Sequence, residues 1–492
     1  MPSVSPETID WRTWSTETFT HAHATKRPVL LVITAAWAAA CRVMDDDVFA
    51  VPAVARLIRE RVVAVRVDAD RRPDIADRYG AGGWPSTLLL TADGDPLCGG
   101  TYIDADRLVA LIEDVAERLK VDPAAIRRLA IEARRARTPL SAARGEGEAP
   151  SGENVNPLPW GEGRVRGLLL AEYDAERGGF GQGPKFPLAA PVAFALRLAQ
   201  RDNDEAMLDV ALTTLDRMAW DGLSSGGDGA FHYACARPDW TEPDRAHLLD
   251  IQADMIRLYL DAWTITGADR YRDRAREAWA WVDRTLHDRP HGGFFASEHA
   301  GHIDRVLLTD ANARMIRTLL HASQLLDDVA LAETAARAAE RIVPAVYGRG
   351  AGVAHVLDTN AQVRVRGLLT DQIHTSAALL DLGHASGDRT YLDLSDELMR
   401  SSLRKLWDPA AGAFLDRLPS SAGAGDVGLL ADPYRPFAQN AEAARLLDRL
   451  GRQTGHDEFL ARAADLRLWL DRNHSTHGIS SAEYGLALLD LS

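Results

Sequence analysis

The sequence contains only three cysteines among 492 residues, and they lie far apart at Cys41, Cys98 and Cys235. Three scattered thiols are too few for a disulfide framework, and their spacing does not match a structural zinc site. Such sparse cysteine usage is typical of proteins in a reducing compartment, where thiols stay unpaired. We therefore expect a cytoplasmic protein.

Long hydrophobic runs and an excess of positive charge are also lacking. No stretch of about 18 uncharged apolar residues occurs, which predicts no membrane span, and the first residues lack the basic start and apolar core of a signal peptide. Acidic residues outnumber basic ones by 71 to 56, giving a formal net charge of -15. This charge disfavours nucleic acids and anionic membranes as partners.

Sequence motifs for nucleotides, cofactors and metals are absent as well. No Gly-x-x-x-x-Gly-Lys-Ser/Thr segment occurs, and the glycine-rich loops do not follow strands as a dinucleotide fingerprint requires. The histidine pair that begins at His299 lacks the carboxylate and the helical spacing of a convincing metal site, and His474 with His477 lies near the C-terminus. We therefore expect no cofactor and no metal.

Strand and helix signals alternate over the first hundred residues. Apolar, β-branched runs at 28–34 and 62–67 predict buried strands, and a helix-forming segment follows the first of them. Gly82-Gly83-Trp84-Pro85 comes next, followed by another apolar run and a turn at Asp93-Gly94. This order is typical of a thioredoxin-like fold, in which the proline usually has a cis peptide bond and faces a redox dithiol.

The redox dithiol itself is missing. Thiol exchange needs two cysteines, because one thiolate attacks and the second resolves the mixed disulfide. Here Ala38 occupies the first position and only Cys41 remains. We predict no thiol exchange and leave two interpretations of Cys41 open, a small buried hydrophobic residue or a lone reactive thiol. A further alternative for this domain is a protein-binding module that holds an extended peptide beside Trp84 and Pro85.

A low-complexity segment separates this region from the rest of the chain. Residues 141–154 are rich in Gly, Ser, Pro and Glu and contain no large apolar residue, which predicts a flexible linker. The predicted organisation is a thioredoxin-like domain at 1–120, a connecting helix and linker at 121–157, and a helical domain at 158–492.

Two motifs recur in the helical domain, where strand signals are no longer recognised. The first is Asp-x-x-x-Gly-(Gly/Ala)-Phe, at 174–180, 288–294 and 408–414. The second is a small residue, a glycine and then an aromatic residue, at 266–271, 386–391 and 454–459. The second motif predicts a helix that ends at a left-handed glycine and a next helix held by the aromatic residue.

Repeats of this period predict helical hairpins arranged in a ring. The predicted hairpins lie at 108–176, 188–220, 245–287, 308–345, 369–407 and 435–473, with a last helix at 480–491. The inner helices should be apolar on nearly every side. The predicted fold is therefore multidomain: an α/β thioredoxin-like domain followed by an all-α (α/α)6 toroid.

The chain resembles the spermatogenesis-associated, thioredoxin-domain-containing protein family. The resemblance rests most clearly on residues 67–74, 82–85, 99–102 and 178–187. It implies a thioredoxin-like domain fused to a six-hairpin, glycosidase-like toroid and a link to redox or carbohydrate chemistry. Two departures mark a divergent member. Residues 38–42 read Ala-Ala-Ala-Cys-Arg where the family usually has Cys-His-Trp-Cys-His, and residues 240–252 keep the family's Trp, Pro and Gln but not its His, Glu, Lys, Tyr and Asp.

Acidic residues near the starts of the inner helices are the candidate catalytic groups. Sugar hydrolysis needs two carboxyl groups, about 5 to 5.5 Å apart in retaining enzymes and about 6.5 to 9.5 Å apart in inverting ones. The candidates are Asp250, Asp310, Asp371 and Glu442. Each could instead be an ordinary helix-start acid, which capping and the helix dipole favour.

Several polar and aromatic residues are candidates for ligand binding: Lys185, His232, Trp240, Gln252, Asn312, His374 and Asn440. Trp240 could stack on a sugar ring, Lys185 could bind an anionic group, and His374 could act as a base oriented by Asp371. The alternatives are a structural ion pair for Lys185 and a buried core position for His374. The leading hypothesis is a redox-silent thioredoxin-like domain fused to a toroid that binds a small polar, sugar-like ligand. The enzyme alternative is a carbohydrate-active hydrolase or epimerase.

Overall fold

The computed structural model describes residues 8–136, 161–224, 226–419 and 426–491. The predicted linker at 141–154 lies outside the described residues. Contacts divide the chain into two units, one formed by Met1–Arg144 with Pro419–Tyr434 and the other by Gly145–Leu418 with Arg435–Ser492. The first unit thus includes residues 426–434, which the sequence analysis had placed in the toroid.

A mixed four-stranded sheet with strand order β2-β1-β3-β4 organises the first unit. β1 pairs in parallel with β2 and antiparallel with β3, and β3 pairs antiparallel with β4. The strands are β1 (Val29–Thr34), β2 (Val63–Asp68), β3 (Ser86–Leu90) and β4 (Pro96–Gly100). The helices are α1 (Thr16–Thr25), α2 (Ala39–Met44), α3 (Pro52–Arg61), α4 (Pro73–Tyr79), α5 (Ala105–Val121) and α6 (Pro123–Ala136), with a π-helical turn at Asp45–Phe49. The predicted thioredoxin-like fold is confirmed, and the Trp84–Pro85 peptide bond is cis.

Residues 426–434 are held within the first unit by hydrogen bonds to α4. The hydroxyl of Tyr79 donates to the carbonyl of Gly94 at 2.8 Å and accepts from the backbone N–H of Leu429 at 2.7 Å. Arg78 donates to the carbonyl of Leu429 at 3.1 Å. Because these partners are some 350 positions apart in the chain, no local sequence pattern predicts the contact.

Helical hairpins form the second unit. Its helices are α7 (Glu162–Glu172), α8 (Ala189–Asp202), α9 (Glu205–Trp220), α10 (Leu249–Thr266), α11 (Asp269–Thr285), α12 (Thr309–Leu326), α13 (Val329–Val346), α14 (Leu369–Ser386), α15 (Arg389–Leu406), α16 (Phe437–Thr454), α17 (Asp457–Asn473) and α18 (Ala482–Leu491). The inner helices α8, α10, α12, α14, α16 and α18 each contact the next, and α18 contacts α8. The ring is therefore closed, and the predicted (α/α)6 toroid is confirmed.

One predicted hairpin is placed differently. The first predicted hairpin, at 108–176, does not form, because α5 and α6 belong to the first unit. The remaining helix, α7, packs instead against α18 at the other end of the second unit. The two ends of the second unit thus form the last hairpin and close the ring.

Short strands lie between the hairpins, although strand signals were not recognised in this region. They are β5 (Ala234–Cys235), β6 (Pro243–Asp244), β7 (His247–Leu248), β8 (Ser297–His299), β9 (His302–Asp304), β10 (Leu307–Leu308), β11 (Tyr347–Gly348), β12 (Gly352–Leu357), β13 (Val363–Arg366), β14 (Trp407–Asp408) and β15 (Ala413–Phe414). Most are only two or three residues long, too short to produce a recognisable alternating pattern.

The Asp-x-x-x-Gly-(Gly/Ala)-Phe motifs form tight hairpins after outer helices. In each one the residue before the aspartate bridges to the phenylalanine, as in His287–Phe294 and Trp407–Phe414. The first glycine has a left-handed backbone, with a φ of 87° at Gly292. A Cβ atom there would lie 2.9 Å from the carbonyl oxygen of Arg337, so both conformation and space require glycine.

The second motif has the predicted role. Gly267, Gly387 and Gly455 end α10, α14 and α16 in the left-handed conformation. Tyr271 and Phe459, the aromatic residues that follow two of these glycines, are fully buried. The motif therefore marks the turn from an inner to an outer helix.

A buried amide at the fourth residue of several inner helices fastens each helix to the preceding hairpin. Asn312 accepts a hydrogen bond from the backbone N–H of Phe294 at 2.8 Å and donates to its carbonyl at 2.9 Å. The same two bonds join Gln252 to Phe231, Gln372 to Val353 and Asn440 to Phe414. Both polar ends of these amides are satisfied by backbone, so Gln252, Asn312 and Asn440 do not face a ligand as the sequence analysis had proposed.

Replacing Asn312 with alanine should lower the free energy of unfolding by about 2 to 3 kcal/mol, because the N–H and carbonyl of Phe294 would stay buried without partners. Urea unfolding measures the change. The matched control is Asn360→Ala, at an exposed turn, with an expected change within about 0.5 kcal/mol. Equal small changes in both variants would contradict the role of the amide.

Candidate functional site

The inner helices surround a cavity of about 770 Å³. This volume lies in the range of small-molecule sites, roughly 300 to 1,000 Å³. Its polar lining is mostly charged: Arg197, Asp254, Arg257, Asp261, Arg314, Arg317, His321, His374, Asp381, His384, Glu442, Arg445, Arg449, Glu483 and Asp490. The expectation that the inner helices are apolar on nearly every side is therefore wrong for the side that faces the cavity.

The charged lining follows a helical spacing that is visible in the sequence. In α10 it falls at positions 254, 257 and 261, and sixty residues later in α12 it falls at 314, 317 and 321. Positions 442, 445 and 449 repeat the spacing in α16. Residues three, four and seven apart share one helix face, so each set forms a stripe. This spacing is a sequence signal for the cavity lining that becomes visible when the repeats are aligned. Of all the residues that line the cavity, only His374 and Glu442 were predicted as site residues.

Arg314 connects residues from three neighbouring inner helices. Its guanidinium lies 3.3 Å from the carboxylate of Asp254 on α10 and 3.5 Å from that of Glu442 on α16. It also contacts Nε2 of His374 on α14 at 3.0 Å. Burial opposes the charge of Arg314, but the surrounding acids raise its pKa above the ordinary value. Arg314 therefore supplies a fixed positive charge in the cavity.

His374 is buried and uncharged. Burial, followed by the charge of Arg314, lowers its pKa well below the ordinary value. Because the guanidinium of Arg314 can only donate, Nε2 of His374 accepts the hydrogen bond. Glu442 lies 3.3 Å from the same nitrogen. Asp371 was the predicted partner of His374. In the structure, Nε2 of His374 lies beside Arg314 and Glu442 instead.

Two acids in the cavity have raised pKa values. Withdrawal from bulk water raises the pKa of Asp254 to about 6, although Arg314 opposes the change. Burial, together with the charge of Glu442, raises the pKa of Glu483 to about 8. Among the described residues Glu483 has no hydrogen-bond or ion-pair partner. At neutral pH the cavity thus holds a protonated carboxyl group beside basic and charged ones, an arrangement suited to proton transfer.

The remaining wall of the cavity contains both paired and unpaired arginines. Arg317 and Arg449 lie 2.8 Å and 2.5 Å from opposite oxygens of Asp381. Burial would raise the pKa of Asp381, but the two guanidinium groups outweigh it and lower the value to about 2. Arg257 has no hydrogen-bond or ion-pair partner in the described part of the chain. Its guanidinium is therefore available to a polar or anionic group of a ligand.

Two of the predicted catalytic acids, Asp310 and Asp371, meet at His355, a residue of β12 that sequence reasoning missed. Nδ1 of His355 lies 2.8 Å from Asp371 and 3.8 Å from Asp310. Burial raises the pKa of Asp371 to about 6, whereas His355, His374 and Arg314 outweigh burial and lower that of Asp310. Asp371 has no exposed surface, so a sugar cannot contact its carboxylate directly.

Asp250, another of the predicted catalytic acids, is exposed and lies one helical turn before Asp254.

Lys185 and Trp240 do not line the cavity. The ammonium group of Lys185 is fully buried and donates to Asp174 at 2.9 Å and to the carbonyl of Gly181 at 2.8 Å. This is the structural ion pair that the sequence analysis left open. The indole of Trp240 is buried and donates to the carbonyl of Arg177 at 2.9 Å, so it is not exposed to stack on a sugar.

His232 is likewise buried away from the cavity. Its ring stacks on His247 with 4.9 Å between the ring centroids. Burial, followed by the charge of His247, lowers the pKa of His232 to about 4. The side chain therefore has a neutral, packed position and not the predicted ligand contact.

In the first unit, Ala38 and Cys41 stand at the start of α2, and both are buried. Burial raises the pKa of the Cys41 thiol to about 11, the opposite of what a reactive thiolate needs. None of the three cysteines forms a disulfide. These properties favour the interpretation of Cys41 as a buried hydrophobic residue.

The fold and the cavity together define a class: a thioredoxin-like α/β unit combined with an (α/α)6 toroid that has a charged interior. Residues 3–134 match the sequence family Thioredox_DsbH, described as a protein of unknown function, DUF255. Over a longer stretch the chain is similar to human spermatogenesis-associated protein 20, at 28% identity over 363 residues, which is 69% of this chain and 45% of that protein. The mouse protein of the same name is 28% identical over 65% of this chain and 42% of its own length. The chain thus spans less than half the length of these relatives.

Solved structures confirm the toroid. D-mannose isomerase has a TM-score of 0.57 and 16% sequence identity, covering 68% of this chain and 99% of that one. Cellobiose 2-epimerase from Spirochaeta thermophila has a TM-score of 0.59 and 14% sequence identity, and the match covers 66% of this chain and 92% of the epimerase. At these identities the likeness establishes the fold alone. Within the described residues, no helix is long and apolar enough to cross a membrane.

Replacing Glu483 with glutamine should change how stability depends on pH. Between the ordinary pKa of 4.5 and the folded value of about 8, the unfolded chain loses the proton of Glu483 while the folded protein keeps it. The wild type therefore loses stability as pH rises through this window. Because Glu483→Gln has no such proton, its free energy of unfolding should rise relative to wild type, by up to about 4 kcal/mol between pH 5 and pH 8.5.

Urea unfolding at the two pH values measures this difference. Glu333→Gln, on an exposed position of the outer helix α13, is the control and should show the same pH dependence as the wild type. A Glu483→Gln variant that follows the wild type at both pH values would refute the assignment of a protonated carboxyl group.

Proposed function

We propose that the toroid binds a small polar, sugar-like ligand in its central cavity. The observation that carries this proposal is the cavity of about 770 Å³ lined by charged side chains from the inner helices. Sugars present many hydroxyl groups, which charged and amide-like groups can bind from several directions. The resemblance in fold to D-mannose isomerase and cellobiose 2-epimerase supports the choice of ligand class.

The groups around Arg314 further support proton transfer at the bound ligand. Asp254, whose pKa is raised to about 6, is a carboxylate at neutral pH that can accept a proton, and Arg314, 3.3 Å away, can stabilise negative charge that develops on a carbonyl oxygen. Glu483 supplies a carboxyl group that is protonated at neutral pH. A base, a fixed cation and an acid in one cavity favour isomerase- or epimerase-type chemistry as the catalytic form of this proposal.

Glycoside hydrolysis is the second candidate, because Asp254, Glu442 and Glu483 place several carboxyl groups around the same cavity. The originally predicted pair of Asp310 and Asp371 supports hydrolysis less well, since Asp371 is fully enclosed. The two candidates differ in their products: an epimerase interconverts isomers of one sugar, whereas a hydrolase releases a shorter one from a glycoside.

Ligand binding can be tested by thermal shift with D-mannose, cellobiose and glucuronate at millimolar concentrations. A ligand at about one hundred times its Kd should stabilise the folded protein by about 2.7 kcal/mol and raise Tm by several degrees. Arg314→Gln should abolish the shift, because it removes the cation that joins Asp254, His374 and Glu442. Arg349→Gln, an exposed arginine outside the cavity lining, is the control and should keep it.

If none of the three sugars shifts Tm, or if the shift persists in Arg314→Gln, the cavity around Arg314 is not the sugar site. Product analysis of any sugar that does bind then separates isomerisation from hydrolysis.

For the first unit we propose a redox-silent role in a reducing compartment, supported by Ala38 at the first dithiol position and the raised pKa of Cys41. The protein should therefore not accelerate insulin reduction by dithiothreitol above the rate without protein. Cys41→Ser should behave like wild type, and Cys98→Ser serves as the control for loss of a thiol elsewhere. Turnover that only Cys41→Ser abolishes would disprove this proposal and favour the lone reactive thiol.

Peptide binding beside Trp84 and Pro85 is the remaining alternative for the first unit. It would be favoured by a protein partner that is retained by wild type and lost in Trp84→Ala.

A further inference from the structure

We propose that Asp310, His355 and Asp371 form a binding site for a first-row divalent cation such as Mn²⁺ or Zn²⁺. The three residues come from the first turn of α12, from β12 and from the first turn of α14. They are not part of the cavity lining described above. Because the ligands come from three separate elements, no spacing motif in the sequence reveals them.

The geometry suits a shared cation. One donor atom from each side chain lies within 4.8 Å of the other two. Nδ1 of His355 lies 2.8 Å from an oxygen of Asp371 and 3.8 Å from an oxygen of Asp310. Metal–ligand bonds of about 2.0 to 2.2 Å place such atoms up to about 4 Å apart. Both distances to His355 already fall within that limit, and the third lies within 4.8 Å.

The carboxylate of Asp371 is incompletely paired without a cation. Asp371 has no exposed surface, and its second oxygen, Oδ2, is buried without a hydrogen-bond partner. A buried, incompletely paired carboxylate is costly, and a bound cation removes that cost.

The repeat pattern indicates that Asp371 is not required by the helical fold. Equivalent positions lie sixty residues apart in the inner helices α10, α12 and α14, as Gln252, Asn312 and Gln372 show. At the position of Asp371 the two preceding repeats have apolar residues, Ile251 and Ala311. The carboxylate is therefore specific to this repeat, which is also the one facing His355.

The donor set limits the kind of cation. Carboxylates suit Mg²⁺, Ca²⁺ and Mn²⁺, whereas an imidazole suits Zn²⁺ and the later transition metals. Two carboxylates and one imidazole therefore favour Mn²⁺ or Zn²⁺ over Ca²⁺. With three protein ligands and the partly exposed Asp310 on one side, further coordination positions remain open to water or to a ligand hydroxyl.

The test uses the whole chain, treated with EDTA, dialysed and titrated with Mn²⁺ or Zn²⁺ alone by calorimetry, with Mn²⁺ also followed by electron paramagnetic resonance. We expect one equivalent of metal to bind. Asp310→Asn and Asp371→Asn should each weaken metal binding by at least about tenfold. Loss of a residue that only supports a metal ligand already costs about 10- to 100-fold in affinity, so loss of a ligand should cost at least as much. Asp269→Asn is the control: it removes an exposed carboxylate from the first turn of the outer helix α11 and should leave the Kd unchanged.

Folding is checked by circular dichroism and thermal unfolding in EDTA. Because Asp310 is partly exposed, the Asp310→Asn variant should fold. If the Asp371→Asn variant fails to fold, the titration of Asp310→Asn decides the test. Absence of saturable binding, or equal loss in Asp310→Asn and Asp269→Asn, would overturn the proposal and leave a hydrogen-bonded Asp–His–Asp cluster. No sugar is present in the titration, so its result does not depend on the proposed ligand of the toroid.

Discussion

The toroid depends on the buried amides that fasten its inner helices to the hairpins before them. Each amide satisfies both the N–H and the carbonyl of one hairpin residue, as Asn312 does for Phe294. These bonds cannot shift by one residue without leaving buried backbone groups unpaired, which is costly. They therefore fix the height of α10, α12, α14 and α16 relative to their neighbours. Charged residues at equivalent positions, such as Asp254 and Arg314, consequently meet at one level of the cavity.

The same constraint explains why so much charge is tolerated inside the ring. Arg314 contacts groups on α10, α14 and α16, and Arg317 and Arg449 share one aspartate, Asp381. Each pair forms only because helices from different parts of the chain are held side by side. Among the described residues, Arg257 and Glu483 have no ion-pair partner, and both line the cavity. The electrostatic character of the cavity is thus a product of the ring.

Much of the fold was predictable because it is encoded in short, local patterns. Left-handed glycines marked the ends of α10, α14 and α16, and the Trp84–Pro85 turn marked the thioredoxin-like sheet. The last hairpin and residues 426–434 were not predictable in this way. α7 pairs with α18 from the far end of the unit, and Tyr79 bonds to Leu429, so both contacts depend on residues hundreds of positions apart.

In the candidate site, too, local sequence patterns predicted some features, whereas others depend on contacts between distant parts of the chain. Polarity and position suggested Gln252, Asn312, Asn440, Lys185 and Trp240 as ligand contacts. However, polarity alone does not distinguish a side chain that faces a ligand from one that satisfies buried backbone or a buried ion. His374 and Glu442 do line the cavity, but their partner Arg314 had no motif to identify it. His355 was missed because it lies in a short strand far from both aspartates in sequence.

The sequence by itself determined the two fold classes, the repeat of helical hairpins and the loss of the dithiol at Ala38, because turn chemistry, periodicity and single residue identities are local properties. The tertiary structure decided which polar residues face the cavity, which ion pairs neutralise one another, and that Asp310, His355 and Asp371 come together. Those outcomes depend on distances between elements that are far apart in the chain, and such distances are fixed only when the ring closes.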